Sequence, residues 1–169
     1  MRPQPAFTGV LQVGLVVRDL DRAVRKYADE YGIGPWRILE INPDIAQDLT
    51  IDEQPCGYSM RVALAMIGDV QWELIEPLDD KTPYADFLRT HGEGLHHVAL
   101  GVEDFADAGS FLRDKGHRVL LGGRYRGAEW AYFSTQDELG FTAEIFDLSE
   151  LVEGEPEAVY PPPGPAAGT

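Results

Sequence analysis

Apolar and polar positions alternate along LQVGLVV (11–17), with Leu11, Val13, Leu15 and Val17 on one face and Gln12, Gly14 and Val16 on the other. That period of two predicts a strand. In RDLDRAVRKYADEYG (18–32) the period changes. Leu20, Ala23, Val24, Tyr27 and Ala28 make the apolar stripe of a helix, Asp19 is placed to cap it, and GIGPW (32–36) ends it. Two more strands are predicted at MRVALAMI (60–67) and VQWELIE (70–76), joined by the two-residue turn Gly68-Asp69. Between them and the helix, residues 42–58 carry Asp44, Asp48, Asp52 and Glu53 and read as a polar loop or lid at a cavity mouth. DKTPYADFLRTHG (80–92) predicts a connecting helix beginning near Thr82-Pro83.

The same order of elements then recurs. LHHVALGV (95–102) predicts a strand, EDFADAGSFLRDKG (103–116) a helix capped by Asp104, and three short strands follow near HRVLLGG, EWAYFST and FTAEIFDL. Laying QVGLVVRDL (12–20) on HVALGVEDF (97–105) superposes Val13 on Val98, Val17 on Val102, Asp19 on Asp104 and Ala23 on Ala108. VQWELI (70–75) likewise falls on FTAEIF (141–146). An internal repeat of this kind outranks any single-element reading. It predicts an α+β fold of two tandem βαβββ modules, whose bare sheet faces curl into an open, barrel-like sheet around a shared cavity. The predicted organisation is an N-terminal arm (1–8) and one domain (9–148), followed by a Pro-rich tail (149–169) expected to be extended and disordered. The domain divides into module one (9–77), the connecting helix (78–93) and module two (94–148).

Composition narrows the function classes. Of 169 residues, 44% are hydrophobic and 10% aromatic, which fits a globular core. No apolar run has the length of a membrane span. The balance of 14 basic against 29 acidic residues, net −15, argues against nucleic acid and anionic membrane as partners. One cysteine, Cys56, excludes an intrachain disulfide framework, and the opening residues lack a signal segment, so a cytoplasmic protein is expected. An anionic substrate would have to be drawn in by a metal or a local arginine, for which Arg61, Arg124 and Arg126 are the candidates.

The candidate chemistry sits on the repeated strands. In GLHHVALGVEDF (94–105), His96 shares a face with Val98 and Leu100, and His97 with Ala99 and Gly101. The small residues leave room, so His97 is expected to face the cavity with Gln12, while His96 is not. Glu73 in VQWELIE and Glu144 in FTAEIFD stand in otherwise apolar strands, where an unpartnered buried carboxylate is costly. The repeat pairs Gln12 with His97 and Glu73 with Glu144. Two carboxylates, one amide oxygen and one imidazole predict a site for one divalent metal ion, with Zn, Mn, Co, Ni, Fe and Mg all compatible. His91, His96 and His117 are expected at surface or supporting positions.

With these residues in view, LQVGLVVRDLDRAVRKY, VQWELIEPL, GLHHVALGVED and GFTAEIFDL resemble the landmarks of the vicinal oxygen chelate superfamily, the glyoxalase I and bleomycin-resistance fold, over about residues 9–148. The block ELIEPLDDKTPYADFLRTHGEGLHHVA resembles its methylmalonyl-CoA epimerase-like members. Gln12 stands where those epimerases usually carry histidine, and the set Gln-Glu-His-Glu is similar to the zinc quartet of some glyoxalase I enzymes. The resemblance implies chelation of a small-molecule substrate through neighbouring oxygens, an acyl-CoA among the candidates, in a homodimer. It implies an epimerase, isomerase or lyase that removes a proton next to a carbonyl; Glu73 and Glu144, from opposite halves, are the candidates to provide the catalytic base and acid. The alternatives are a metal-free antibiotic-binding protein and an extradiol-type dioxygenase, the latter calling for two cavity-facing histidines.

Overall fold

The computed structural model describes residues 7–163. Module one begins with β1 (Gly9–Val16) and α1 (Leu20–Arg25), which runs on as a π-helical turn over Lys26–Glu30. The Asp19 carboxylate accepts from the Arg22 amide, the capping contact its position predicts. Strands β2 (Trp36–Ile41), β3 (Gln47–Ile51), β4 (Gln54–Pro55), β5 (Met60–Ile67) and β6 (Val70–Pro77) follow. Helix α2 (Pro83–Thr90) is capped by Thr82, whose hydroxyl accepts from the Ala85 amide. Module two is β7 (Gly94–Gly101), α3 (Phe105–Asp114), β8 (Val119–Tyr125), β9 (Ala128–Phe133), α4 (Gln136–Leu139) and β10 (Thr142–Asp147), and β11 (Ala158–Tyr160) is the last strand among the described residues.

All strands belong to one open mixed sheet, ordered β11-β2-β5-β6-β1-β7-β10-β9-β8-β3-β4. The repeat explains its symmetry. Each module's first strand pairs in parallel with its last, β1 with β6 and β7 with β10, and the two first strands meet antiparallel at the centre. Leu20, Val24, Trp36 and Leu74 pack α1 onto one half, and Ala108, Leu112, Phe133 and Ile145 pack α3 onto the other. A third cluster, including Val16, Tyr58, Ile75, Tyr84 and Tyr132, joins the halves. Among the described residues no helix is long and apolar enough to cross a membrane.

Two sequence expectations are corrected here. Residues 42–58 are no lid: β3 pairs with β8 and β4 with β3, which extends the far half of the sheet, and Ala46 and Leu49 are buried in the central cluster. The acidic residues that gave this stretch its loop-like look include Asp48, Asp52 and Glu53, all at positive φ where the strands kink and turn. The tail is not disordered throughout, because β11 pairs antiparallel with β2; residues 164–169 lie outside the described part. Of the arm, residues 1–6 also lie outside it, but Phe7 packs against the α3 cluster and the Thr8 amide donates to the Gly101 carbonyl at 2.9 Å.

Candidate active site

Register places the four candidate residues before any side-chain contact is considered. Gln12 lies beside Gln71, and Gly14 lies between Glu73 on β6 and His97 on β7. Glu144 on β10 faces Ala99 on one side and Tyr132 on the other. The side chains of Gln12, Glu73, His97 and Glu144 therefore meet over the central strand pair. His97 Nε2 is 3.1 Å from Glu73 Oε2 and 3.3 Å from Glu144 Oε2. The Gln12 amide oxygen is 3.1 Å from Glu144 Oε2 and 3.3 Å from Glu73 Oε2. The four donors thus form a closed ring with nearly equal edges.

The His97 ring lies across Gly14, so closely that a β-carbon at Gly14 would occupy the ring's own space. Gly14→Ala is accordingly expected to cost about 1–3 kcal/mol by overpacking. Gly9→Ala, with open space around the added carbon, should cost far less; urea unfolding of the two variants checks the difference.

Burial sets the protonation of this ring. It pushes the Glu73 carboxyl up to about 8 and the His97 imidazolium down to about 3. Glu144 is raised well above the ordinary carboxylate range, first by burial and then by the nearby Glu73, with a Tyr132 hydrogen bond opposing. At neutral pH His97 is uncharged, and its 3.1 Å contact is a hydrogen bond from a protonated Glu73 rather than an ion pair. Gln12 is the discordant member. Its nitrogen donates to Gln71 Oε1 at 2.6 Å, which turns its oxygen toward both carboxylates, acceptor against acceptor. A half-turn of the amide, with Gln71 turning in step, lets the nitrogen donate to both carboxyl groups; the contacts as they stand are repulsive only where the carboxyls are ionised, and there a shared cation would relieve them.

The donor set suits such a cation. Bonds of ~2.1 Å put neighbouring ligands ~3.0 Å apart in an octahedron and ~3.4 Å in a tetrahedron, and the ring edges of 3.1–3.3 Å fall between. Histidine, cysteine, aspartate and glutamate alone form no metal-holding group of three among the described residues. The ring closes only through the neutral Gln12 amide.

His96 is turned away from the ring, against the faces of α2, with ring centroids 5.2 Å from Tyr84 and 5.1 Å from Phe87. Its Nδ1 is 3.1 Å from His97 Nδ1. If His97 is the donor there, its Nε2 keeps a lone pair for the ring. A two-histidine, one-carboxylate arrangement of the extradiol type is not formed. His117 bonds the Ser134 carbonyl and His91 contacts Thr90, both away from the ring.

A cavity of about 490 Å³ opens above the ring, lined at its floor by Gln12, Glu73, Glu144 and Tyr132. None of its walls comes from residues 42–58, which removes the expected role of that stretch at the mouth. Arg61 is tied to Asp21 and Glu76, and Arg124 to Glu129, so neither borders the cavity; Arg126 does, as does Arg37, which sequence reasoning missed. Tyr132 was missed as well. Its hydroxyl is 3.4 Å from His97 Nε2, and burial followed by the Glu144 charge raises it well above the usual phenol range, so it is a neutral hydrogen-bond donor. The alternation Trp130/Tyr132 in EWAYF was the available signal.

Comparison with known proteins adds to this geometry. Residues 11–134 match the family model of the glyoxalase/bleomycin resistance protein/dioxygenase superfamily. The ethylmalonyl-CoA/methylmalonyl-CoA epimerase of Cereibacter sphaeroides is 28% identical over 112 residues, covering 66% of this chain and 73% of that one. The crystal structure of methylmalonyl-CoA epimerase from Mycobacterium tuberculosis superposes with a TM-score of 0.65 at 26% identity, over 86% of this chain and 91% of the other. A variant of the Streptomyces coelicolor enzyme in complex with 2-nitronate-propionyl-CoA gives 0.64 at 26% identity, over 83% and 96%.

Proposed function

The chain belongs to the glyoxalase/bleomycin resistance protein/dioxygenase superfamily, and within it we propose a divalent-metal-dependent epimerase or isomerase that moves a proton on the carbon next to a carbonyl. The observation that carries this reading is the ring of Gln12, Glu73, His97 and Glu144 at the floor of a cavity. A divalent ion held by those four side chains would supply charge stabilisation for the enolate oxygen of the substrate.

The remaining chemistry belongs to the protein. Once off the ion, a buried Glu144 is a stronger base than an exposed carboxylate, which suits removal of a weakly acidic C–H proton. Glu144, once off the ion, takes the α-proton on one of its carboxylate oxygens; Glu73, from the other module, once off the ion and protonated from solvent, returns one to the opposite face, and exchange of both carboxyls with solvent resets the pair. Either carboxylate can swing from the ring toward the cavity as substrate enters. The Tyr132 hydroxyl, paired in register with Glu144, steadies that carboxylate between turnovers. The apolar walls keep water from re-protonating the carbanion at random. The epimerase names of the relatives support this reaction class and make methylmalonyl-CoA the first substrate to try.

The test begins with protein stripped by chelator and titrated calorimetrically with Co²⁺, Zn²⁺ and Mn²⁺. One ion per chain is expected, together with exchange of the methylmalonyl-CoA α-proton in deuterated water by the loaded protein alone. Failure to bind any of the three ions would remove the reading and favour a metal-free small-molecule binder.

A further inference from the structure

We infer that the segment from Leu148 to Tyr160 is a specificity wall, and that the substrate is an enolisable carbonyl compound bearing an apolar side chain of several carbons. The inference rests on the proton-transfer reading above for the reacting end of the molecule and on independent observations for the other end.

The segment leaves β10 in module two and finishes as β11 on β2, the outer strand of module one. On the way it is fastened to both modules. The Val152 amide donates to the Arg126 carbonyl at 2.7 Å, and Arg37 Nη2 donates to the Gly154 carbonyl at 2.7 Å. The Glu157 amide donates to the Ile38 carbonyl at 2.9 Å. Two glycines make the fit possible. A β-carbon at Gly154 would overlap the Arg126 guanidinium, and one at Gly127 would overlap the Glu150 carbonyl. The cavity is thus walled between the modules by a strap whose backbone contact at Gly127 tolerates no side chain.

What the strap presents to the cavity is apolar. Leu148, Leu151 and Val152 line it and keep 49%, 45% and 65% of their surface exposed. Leu11 and Met66, on other walls of the same cavity, are 40% and 54% exposed. A concentration of half-exposed aliphatic side chains from separate elements around one cavity is surface that a ligand covers. Beneath them Leu39, Val62 and Phe146 continue the apolar lining down toward the polar floor. The bound molecule must therefore be polar at the ring and apolar toward the strap. Of the two cavity arginines, Arg37 is bonded to the Gly154 carbonyl and Arg126 lies beside Gly154, with Glu153 and Glu155 at the same wall.

The probes are 2-alkylmalonates from methyl to hexyl, titrated calorimetrically into the Mn²⁺-loaded full-length protein. Affinity is expected to rise about fourfold per methylene, the value of burying one such group. In the double variant Leu151→Ser, Val152→Ser the methyl-to-hexyl gain should shrink at least tenfold. Both side chains are half exposed, and thermal unfolding checks that the variant is folded. A flat series in the natural protein, or an equally steep one in the variant, would overturn the wall. Exchange of the methylmalonyl-CoA α-proton is followed separately. Chain-length-dependent binding without exchange keeps the wall and removes the proton-transfer reading, whereas exchange with a flat series does the reverse.

Discussion

Glu144→Gln is expected to slow α-proton exchange by about 10²–10⁴-fold, the usual cost of losing a general base, even when metal is saturating. Glu144 is 2% exposed, contacts His97 at 3.3 Å and pairs in register with Tyr132, so an isosteric amide fits the same space. The amide keeps an oxygen donor, so the ion should still bind, more weakly, and elemental analysis at high metal concentration establishes occupancy. Its basicity is gone, and no amount of metal restores it. Exchange of methylmalonyl-CoA in deuterated water is the readout. If the fully loaded variant exchanges at the natural rate, Glu144 serves only as a ligand, and Glu73→Gln becomes the variant to measure. Loss in neither would end the proton-abstraction mechanism.

The convergence of Gln12, Glu73, His97 and Glu144 could be read in the sequence because a period of two assigns faces and an internal repeat relates strands far apart in the chain. Gly14 and Ala99 pointed to the roomy face, and the roominess at Gly14 proves to be the space of the His97 ring itself. The alternation gives no sign of the bulge between Val10 and Gln12, which lets Leu11 and Gln12 border the same cavity. Nor does it reveal the strap. Proline, glycine and glutamate dominate residues 153–157 and lower local strand propensity, while the contacts that order the segment lie on Arg37, Ile38 and Arg126, remote in sequence. Residues 42–58 misled for a related reason. Their acidic turn positions interrupt the apolar side chains that fasten the strands beside β8, so no period of two is visible.

Chelated protein is expected to lose stability as the pH rises from 6.5 to 8, and a divalent ion should reverse that slope. The Glu73 carboxyl is raised by burial from 4.5 to about 8, and Glu144 is raised as well. Over this window the folded state holds protons that the unfolded chain has already released. Unfolding then releases protons, and stability falls with pH. Burial also lowers His96 and His97 from 6.5 to about 3, which has the opposite sign. Their contribution rises with pH and levels off near 6.5, so it masks the carboxylates below that pH and leaves them alone above it. Glu73 alone contributes a loss of about 2 kcal/mol across the window at full effect, or roughly 4–8 °C in Tm for a chain of this size. Metal ligation requires the deprotonated carboxylates, so an ion binds more tightly as pH rises and adds about 2.7 kcal/mol at a hundredfold excess over its Kd. Thermal unfolding from pH 6.5 to 8, with EDTA and then with excess Zn²⁺, measures both slopes. Glu73→Gln should flatten the chelated one. A chelated protein whose Tm holds level over the window, and is matched by the variant, would mean that Glu73 is ionised in the folded protein at neutral pH, and the ring would then need another source of positive charge.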